Sequence, residues 1–317
     1  MIKYIIKRLL VIIPIFLILT FAVFVLSDMC PGSPVDIIAS QVDLSEEAYK
    51  ALEHSLGLDQ PVVVRYGKWL LGIVNGDLGT STRTKQSVSK MIAERMGASL
   101  SLMGTGLLLA IAIAIPLGVA AAWKPYSFWD NCSSTLVFLG SAVPSFFLGL
   151  CMLFIFAVKL NILPAYGMYT ANAVPTFPDF LRHLIMPAFL VAFQNMGDIV
   201  KQTRGGLLEI LNEDYIKTAR AKGLSEKVVL IKHGLRNALI PVVTVISLLI
   251  PYVIGGSVVI EQIFGWPGIG SLLMLSIESR DYNVIMGITV MVCIVVMICN
   301  IAIDILYGML DPRISRD

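Results

Sequence analysis

Residues Asp214–Pro241 read DYIKTARAKGLSEKVVLIKHGLRNALIP. Lys217, Arg220, Lys222, Lys227, Lys232 and Arg236 stand there against only Asp214 and Glu226, in a chain that is 56% hydrophobic and 15% charged. The stretch reads as two helical pieces hinged at one glycine. Asp214–Lys222 is rich in helix formers, and Gly223 follows as a helix-ending residue able to take positive φ. Ser225 is placed to N-cap a second helix, with Glu226 in its first turn complementing the dipole. Val228, Ile231, Leu235 and Leu239 then recur at three- and four-residue spacing, which makes one apolar face. Such an elbow between hydrophobic spans reads as a surface offered to a soluble partner. The plainer reading is a basic loop that only sets topology.

On either side, apolar runs recur that are long enough to cross about 30 Å of hydrocarbon, which takes roughly 20 residues. Six spans are expected: Leu9–Ser27, Ala98–Ala122, Cys132–Ala157, Leu184–Val200, Ala238–Val259 and Val284–Gly308. The fourth is the weakest, being short and carrying Gln194, Asn195 and Asp198. The expected fold is therefore all-α and polytopic, with a small helical external insert after the first helix. Lys3, Lys7, Arg8, Lys124, the basic loop, Arg313 and Arg316 fall on one side, which the positive-inside rule makes cytoplasmic along with both termini. The first segment begins like a signal peptide, but its apolar run is too long and lacks a small-residue cleavage site, so it reads as a retained anchor. The 317 residues divide into an anchor helix (1–27), the external insert (28–97), a five-helix core carrying the loop 201–238 (98–308) and a cytoplasmic tail (309–317).

In the insert, Ser45 can cap a helix Glu46–Leu56 that Gly57 closes. Pro61 suits the start of a second helix with Val62, Tyr66, Trp69 and Ile73 as its stripe, ending at Asn75-Gly76. Gly76–Ser81 is a turn cluster, and Ser87 opens a helix feeding the second span. Trp123–Ser127 makes a short turn with aromatic anchors. Gly140–Ser145 combines small residues with Pro144, which favours close helix packing or, alternatively, a kink facing a pathway. Pro164, Pro175 and Pro178 exclude one continuous helix over Asn161–Arg182. The fifth span holds Pro251 and Gly255-Gly256 and is expected to bend. Glu261–Gly270, continuing through Leu272–Ile277, is too short to cross and reads as an interfacial segment.

Catalytic signatures are missing from the sequence. It has no G-x-x-x-x-G-K-[ST], no H-E-x-x-H and no G-x-S-x-G, and His54, His183 and His233 are scattered. Cys132, Cys151, Cys293 and Cys299 fall inside spans and only Cys30 outside, so the cysteines read as packing residues rather than a disulfide framework. Charges inside spans are costly and call for a role. Asn300 and Asp304 share one helical face of the sixth span and read as structural polar residues, with an ion relay as the alternative for Asp304. Asp198 can reach the interface. Gln194 and Asn195, with Ser141, Ser145 and Ser247, are candidates to line a polar pathway.

Several of these motifs resemble one family. Ala219-x-x-x-Gly223, followed by an amphipathic helix and Pro241, resembles the EAA loop of ABC importer permeases, and YIKTARAKGLS…RNALIPVV is similar to its dipeptide/oligopeptide/nickel branch. Lys217 replaces the Glu of the general motif, and Leu235-Arg236 replaces its later Leu-Pro, both usual for the peptide branch. The exit turn Cys30–Pro34, the segments LGLDQP…GDLGTS…IAERM, the E-x-I-F-x-W-P-G-I-G…R-D-Y run from Glu261 to Tyr282, and the Asp311-Pro312-Arg313 ending resemble the same family over nearly the whole chain. Asn283 stands where that branch often has Pro.

The resemblance implies a type I ABC importer permease fold. It makes Asp214, Tyr215, Thr218, Ala219, Arg220, Ala221, Lys222, Gly223, Leu224 and Ser225 the ATPase-coupling surface. It makes Glu261, Phe264, Trp266, Pro267, Gly268, Arg280 and Asp281 an external gate or docking surface. The partners implied are a second homologous permease, one or two ATPase subunits that bind ATP and Mg, an external binding protein and membrane lipid, with no nucleic acid. No cofactor or metal is expected on this chain. The implied substrate is a di- or oligopeptide, with nickel or a metal chelate as runner-up, and the implied location is the inner membrane of a prokaryote. An ion-coupled secondary transporter using Asp198 or Asp304 is the reading from another class, although no internal repeat supports it.

Overall fold

The computed structural model describes the backbone of residues 2–29, 34–39, 45–55 and 57–310, and the side chains in these ranges except 2–9, 34, 37, 38, 254 and 303–310. Cys30, the exit turn, the Asp311-Pro312-Arg313 ending and the side chain of Asp304 lie outside the described residues. The elements are α1 (Ile2–Met29), α2 (Pro34–Ala39), α3 (Glu46–Ser55), α4 (Val62–Val74), α5 (Val88–Trp123), α6 (Phe128–Ala142), α7 (Ser145–Met152), α8 (Phe177–Ile210), α9 (Asp214–Ala221), α10 (Glu226–Val228), α11 (Arg236–Gly255), α12 (Val258–Phe264), α13 (Ile269–Glu278) and α14 (Tyr282–Leu310). Two π-helical stretches, Leu153–Lys159 and Val229–Leu235, continue α7 and join α10 to α11. Among the described residues α1, α5, α8, α11 with its preceding turns, and α14 are long and apolar enough to cross a membrane.

The third expected span is not one straight helix. α6 and the helix from Ser145 to Lys159 are bent by 105° across Val143-Pro144. Pro144 lacks an N–H and forces the residue before it out of the α region, and Val143 is extended at φ −89°, ψ 122°. In the fifth span, α11 runs unbroken through Pro241 and Pro251 and stops at Gly255, with Gly256 at φ +73°. In the segment expected to be interfacial, neither helix is long enough to cross alone. α12 and α13 form a broken pair that together meets the length and apolarity of a span, with Gly265 left-handed at φ +59° ending α12.

The chain forms two compact units, Met1–Gly97 with Ser271–Asp317, and Ala98–Gly270. In the first, α1 packs on α14 and α4. The Tyr66 hydroxyl of α4 meets Thr20 Oγ1 at 2.9 Å, and the rings of Phe21 and Phe24 stand edge-on to Tyr66 at 5.1 and 5.7 Å. The two insert helices follow the expected pattern: Ser45 accepts from the Ala48 N–H at 3.3 Å, Gly57 is at φ +67°, and α4 begins after Pro61.

The second unit is built around α8, which contacts α6, α7, α11 and α12. Its apolar window is 67% buried, against 6% for α1. This explains why the weakest span by hydropathy is a helix at all: its neighbours are protein, so Asn195 and Thr203 bond carbonyls one turn back at 2.7 Å instead of facing lipid. The core runs in patches along α8, from Leu184, Leu190 and Val191 with Phe264 and Trp266, through Met196, Ile199 and Val200 with Ala110 and Ala114, to Leu207 with Leu230 and Ala238.

Candidate functional site

The basic elbow follows directly from α8. After Leu211 the chain turns through Asn212-Glu213 into α9, whose Ile216 and Ala219 are buried with Val229 against Ile210 and Leu211. The opposite face is open. Lys217 pairs with Asp214 at 2.8 Å and the Thr218 hydroxyl donates to the Asp214 carbonyl at 2.9 Å. Gly223 closes α9 at φ +78°, its N–H donating to the Arg220 carbonyl at 2.9 Å. No atom lies within 4 Å of where its Cβ would be, so left-handed backbone, not crowding within the chain, accounts for glycine here. Arg220 then reaches across the elbow to Glu226, Nε to Oε1 at 2.8 Å and Nη2 to Oε2 at 3.4 Å, tying the end of α9 to the start of α10.

One expectation for the second helix is corrected. Ser225 occupies the cap position, but its carbonyl does the bonding, to the N–H groups of Val228 and Val229 at 2.9 and 3.0 Å, and its side chain makes no cap bond. Of the apolar stripe, Val228 and Ile231 are 38% and 50% exposed and Leu239 packs against the core, while Val229, Leu230, Gly234 and Ala238 are buried. The π-helical turns over Val229–Leu235 carry more residues per turn than an α-helix, so the faces shift along this segment. The exposed surface therefore combines Tyr215, Leu224, Val228 and Ile231 with Lys217, Lys222, Lys227, Lys232 and Arg236; the Tyr215 hydroxyl accepts from Asn237 Nδ2 at 2.9 Å.

A second polar contact braces the same end of α8 and was not expected. Arg204 presents Nε and Nη2 to Asp130 Oδ1 and Oδ2 at 2.6 and 2.9 Å, and the Tyr126 N–H donates to Oδ2 at 2.8 Å. Asp130 is 4% exposed. This fork fixes the Trp123–Ser127 turn and the start of α6 to α8, less than two turns before α8 ends at Ile210. The signal available for it is an acidic residue at the edge of a span with an Arg at the edge of another.

The E-x-I-F-x-W-P-G-I-G motif folds around a buried carboxylate. Glu261 is fully buried, and its Oε1 accepts from the Ser99 hydroxyl at 2.7 Å, while Ser99 Oγ accepts from the Ile269 N–H at 2.7 Å. Trp266, also fully buried, donates its indole N–H to the Ala98 carbonyl at 2.7 Å. Gly268 permits the approach: a Cβ there would stand 2.3 Å from Glu261 Oε1 and 2.4 Å from Ser99 Oγ. Phe264 is 2% exposed and Pro267 is half-buried.

In the other unit Asp281, 3% exposed, accepts from the Ser81 hydroxyl and from the Thr82 N–H, and Arg280 takes a positive φ of 53° just before it. Glu261, Phe264, Trp266, Gly268 and Asp281 thus form interior contacts. Buried in this way, these side chains are not themselves exposed to a docking partner, and their burial does not bear on the implied gate.

Of the suggested pathway residues, Ser141, Asn195 and Ser247 bond carbonyls of their own helices. Ser141 bonds the Val137 and Phe138 carbonyls at 3.1 and 3.0 Å, and Ser247, buried, bonds Val243 at 2.7 Å. Ser145 is half-buried, and Gln194 and Asn300 are exposed.

Residues 114–316 match the family described as binding-protein-dependent transport system inner membrane component, and residues 1–103 match its N-terminal counterpart. The chain is 44% identical to the oligopeptide transport system permease protein AppB of Bacillus subtilis (strain 168), over 99% of this chain and 100% of that protein. It is 42% identical to a putative peptide permease protein of Brucella suis biovar 1 (strain 1330), over 99% of each. It is 35% identical to the dipeptide transport system permease protein DppB of Escherichia coli (strain K12), over 100% of this chain and 99% of that protein.

Proposed function

The chain belongs to the family of binding-protein-dependent transport system inner membrane components, and from that premise we propose that it imports di- or oligopeptides as one membrane subunit of an ATP-driven transporter. It forms the pathway with a second, homologous permease. Peptide arrives on an external binding protein, and one or two ATPase subunits bind ATP and Mg on the cytoplasmic side. The chain carries no ATPase site of its own. It sits in the inner membrane of a prokaryote with both termini and the Asp214–Ser225 elbow in the cytoplasm.

The observation that carries this reading is the elbow: apolar side chains ringed by lysines, unoccupied by the rest of the described chain, and stiffened by the Arg220–Glu226 fork. A flexible loop would absorb a push from an ATPase. Here α9 is joined to α8 by the three-residue turn Leu211–Glu213, and α10 runs without a break into α11, so displacement of the elbow moves two long helices together. Closure of the ATPases around nucleotide would in this way convert an inward-open pathway into an outward-open one.

The test is ATP hydrolysis by the chain purified with its accompanying subunits, measured with peptide-loaded and with nickel-loaded binding protein. Stimulation by the peptide-loaded form alone is expected. Stimulation by nickel alone would replace the substrate, and uptake that follows an ion gradient without ATPase partners would overturn the importer reading.

A further inference from the structure

α4 is apolar on both sides. Tyr66 and Trp69 pack on Phe24 of α1, yet Val63, Leu71 and Val74 stay 67%, 66% and 78% exposed. A helix that keeps apolar side chains exposed while lying on a spanning helix belongs in the membrane interface. Its depth can be placed on α1. Tyr66 bonds Thr20, and Arg65 pairs with Asp28, eight residues further on, which is about 12 Å at the rise of an α-helix. α4 therefore covers the level where the hydrocarbon gives way to headgroups.

A cavity of about 220 Å³ opens at this level, lined among others by Phe24, Asp28, Arg65, Lys68, Trp69 and Asn283. That is roughly seven times the ~30 Å³ share of one liquid water, enough for a small polar head but not for acyl chains. Its donors outnumber their partners. Arg65 is engaged by Asp28, whereas Lys68 has three N–H groups and bonds Gln60 Oε1 with one, at 2.7 Å. The indole nitrogen of Trp69 is buried without a hydrogen-bond partner among the described residues. A buried N–H left unmatched costs about 1–3 kcal/mol, so such a group asks for an acceptor.

We propose that this cavity binds the headgroup phosphate of an anionic phospholipid, with Lys68 and the Trp69 N–H as its donors and the acyl chains running along the exposed apolar residues of α1 and α4. The net positive lining selects an anion, since the Asp28 charge is already matched by Arg65. Location selects lipid over a soluble anion, because on α1 Leu26 and Met29, adjoining the lining residues Ser27 and Asp28 in the chain, are 63% and 74% exposed.

The complex, stripped of lipid in detergent, is titrated with dioleoyl phosphatidylglycerol or dioleoyl phosphatidylcholine, and native mass spectrometry counts the lipids retained. Wild type is expected to retain one phosphatidylglycerol that Trp69→Phe and Lys68→Gln each weaken five- to ten-fold. Trp69→Phe removes the N–H while keeping an aromatic ring, so a packing role alone would leave retention unchanged. Equal retention by wild type and both variants, or equal retention of phosphatidylcholine, overturns the proposal. Displacement of phosphatidylglycerol by millimolar inorganic phosphate overturns it in favour of a soluble-anion site.

Discussion

The carboxylate of Asp281 accepts the hydroxyl of Ser81, 200 residues away in sequence, and the adjoining Thr82 N–H at 3.2 Å. Asn283 adds a bond from its Nδ2 to the Thr80 carbonyl at 2.7 Å. Two motif fragments from opposite ends of the chain, GDLGTS and R-D-Y, are thereby one structural unit. Asp281→Ala leaves a buried hydroxyl and an N–H unmatched, at about 1–3 kcal/mol for such a group. Its melting temperature in detergent should drop, and Asp281→Asn, which keeps an acceptor oxygen, should drop less. Equal melting of wild type and Asp281→Ala would remove this contact from the account.

Gly223 separates backbone strain from partner contact. Its Cβ position is empty within the chain but its φ is +78°, so Gly223→Ala should insert normally and lose about 1 kcal/mol. Gly223→Trp adds bulk on the exposed side. ATPase subunits should no longer copurify with it, although the chain reaches the membrane. Wild-type copurification and uptake by that variant would move the coupling point elsewhere.

The Asp130–Arg204 fork can be measured as a pair. Arg204 is 32% exposed on its side chain, so removing it costs less than the loss of a fully buried partner, about 1–3 kcal/mol. Arg204→Lys keeps the charge but not the two-pronged geometry and should recover only part. In a double-mutant cycle, Asp130→Ala with Arg204→Ala should cost less than the two singles added together. Strict additivity of melting shifts would show that the two side chains do not interact.

Gly268 allows no substitution if the carboxylate sits where described. A methyl group there would stand 2.3 Å from Glu261 Oε1, and Gly268→Ala should yield little monodisperse protein on gel filtration, whereas Glu261→Gln keeps the shape and should purify. A Gly268→Ala chain with wild-type yield and melting would contradict this packing.

The spans were legible because about 20 consecutive apolar residues have few other uses. Gly223 was legible because a glycine between two helix-forming runs has one geometric purpose. The other misreadings share a cause: spacing along a chain says which residues are special, not which way they face. Ser225 stands where a side-chain cap is expected, yet its carbonyl does the bonding. Glu261 and Trp266 were assigned outward because motif residues suggest partners, yet their partners are Ser99 and Ala98 of the same chain. Asp130 and Arg204 stand 74 positions apart, and no local pattern links them.

The close approach of α5 to α8 has a mechanical consequence. A Cβ on Gly106 would lie 2.4 Å from Val191 Cγ1, and one on Gly118 would lie 2.7 Å from Thr203 Cβ, so each glycine is a notch filled by a branched side chain of α8. The notches are twelve residues apart, about 18 Å along the axis. Two keys seated in two slots forbid sliding but permit tilting. If the proposed ATPase presses on the elbow, α8 would carry that push along its length as rotation of a paired shaft, with α5 turning alongside.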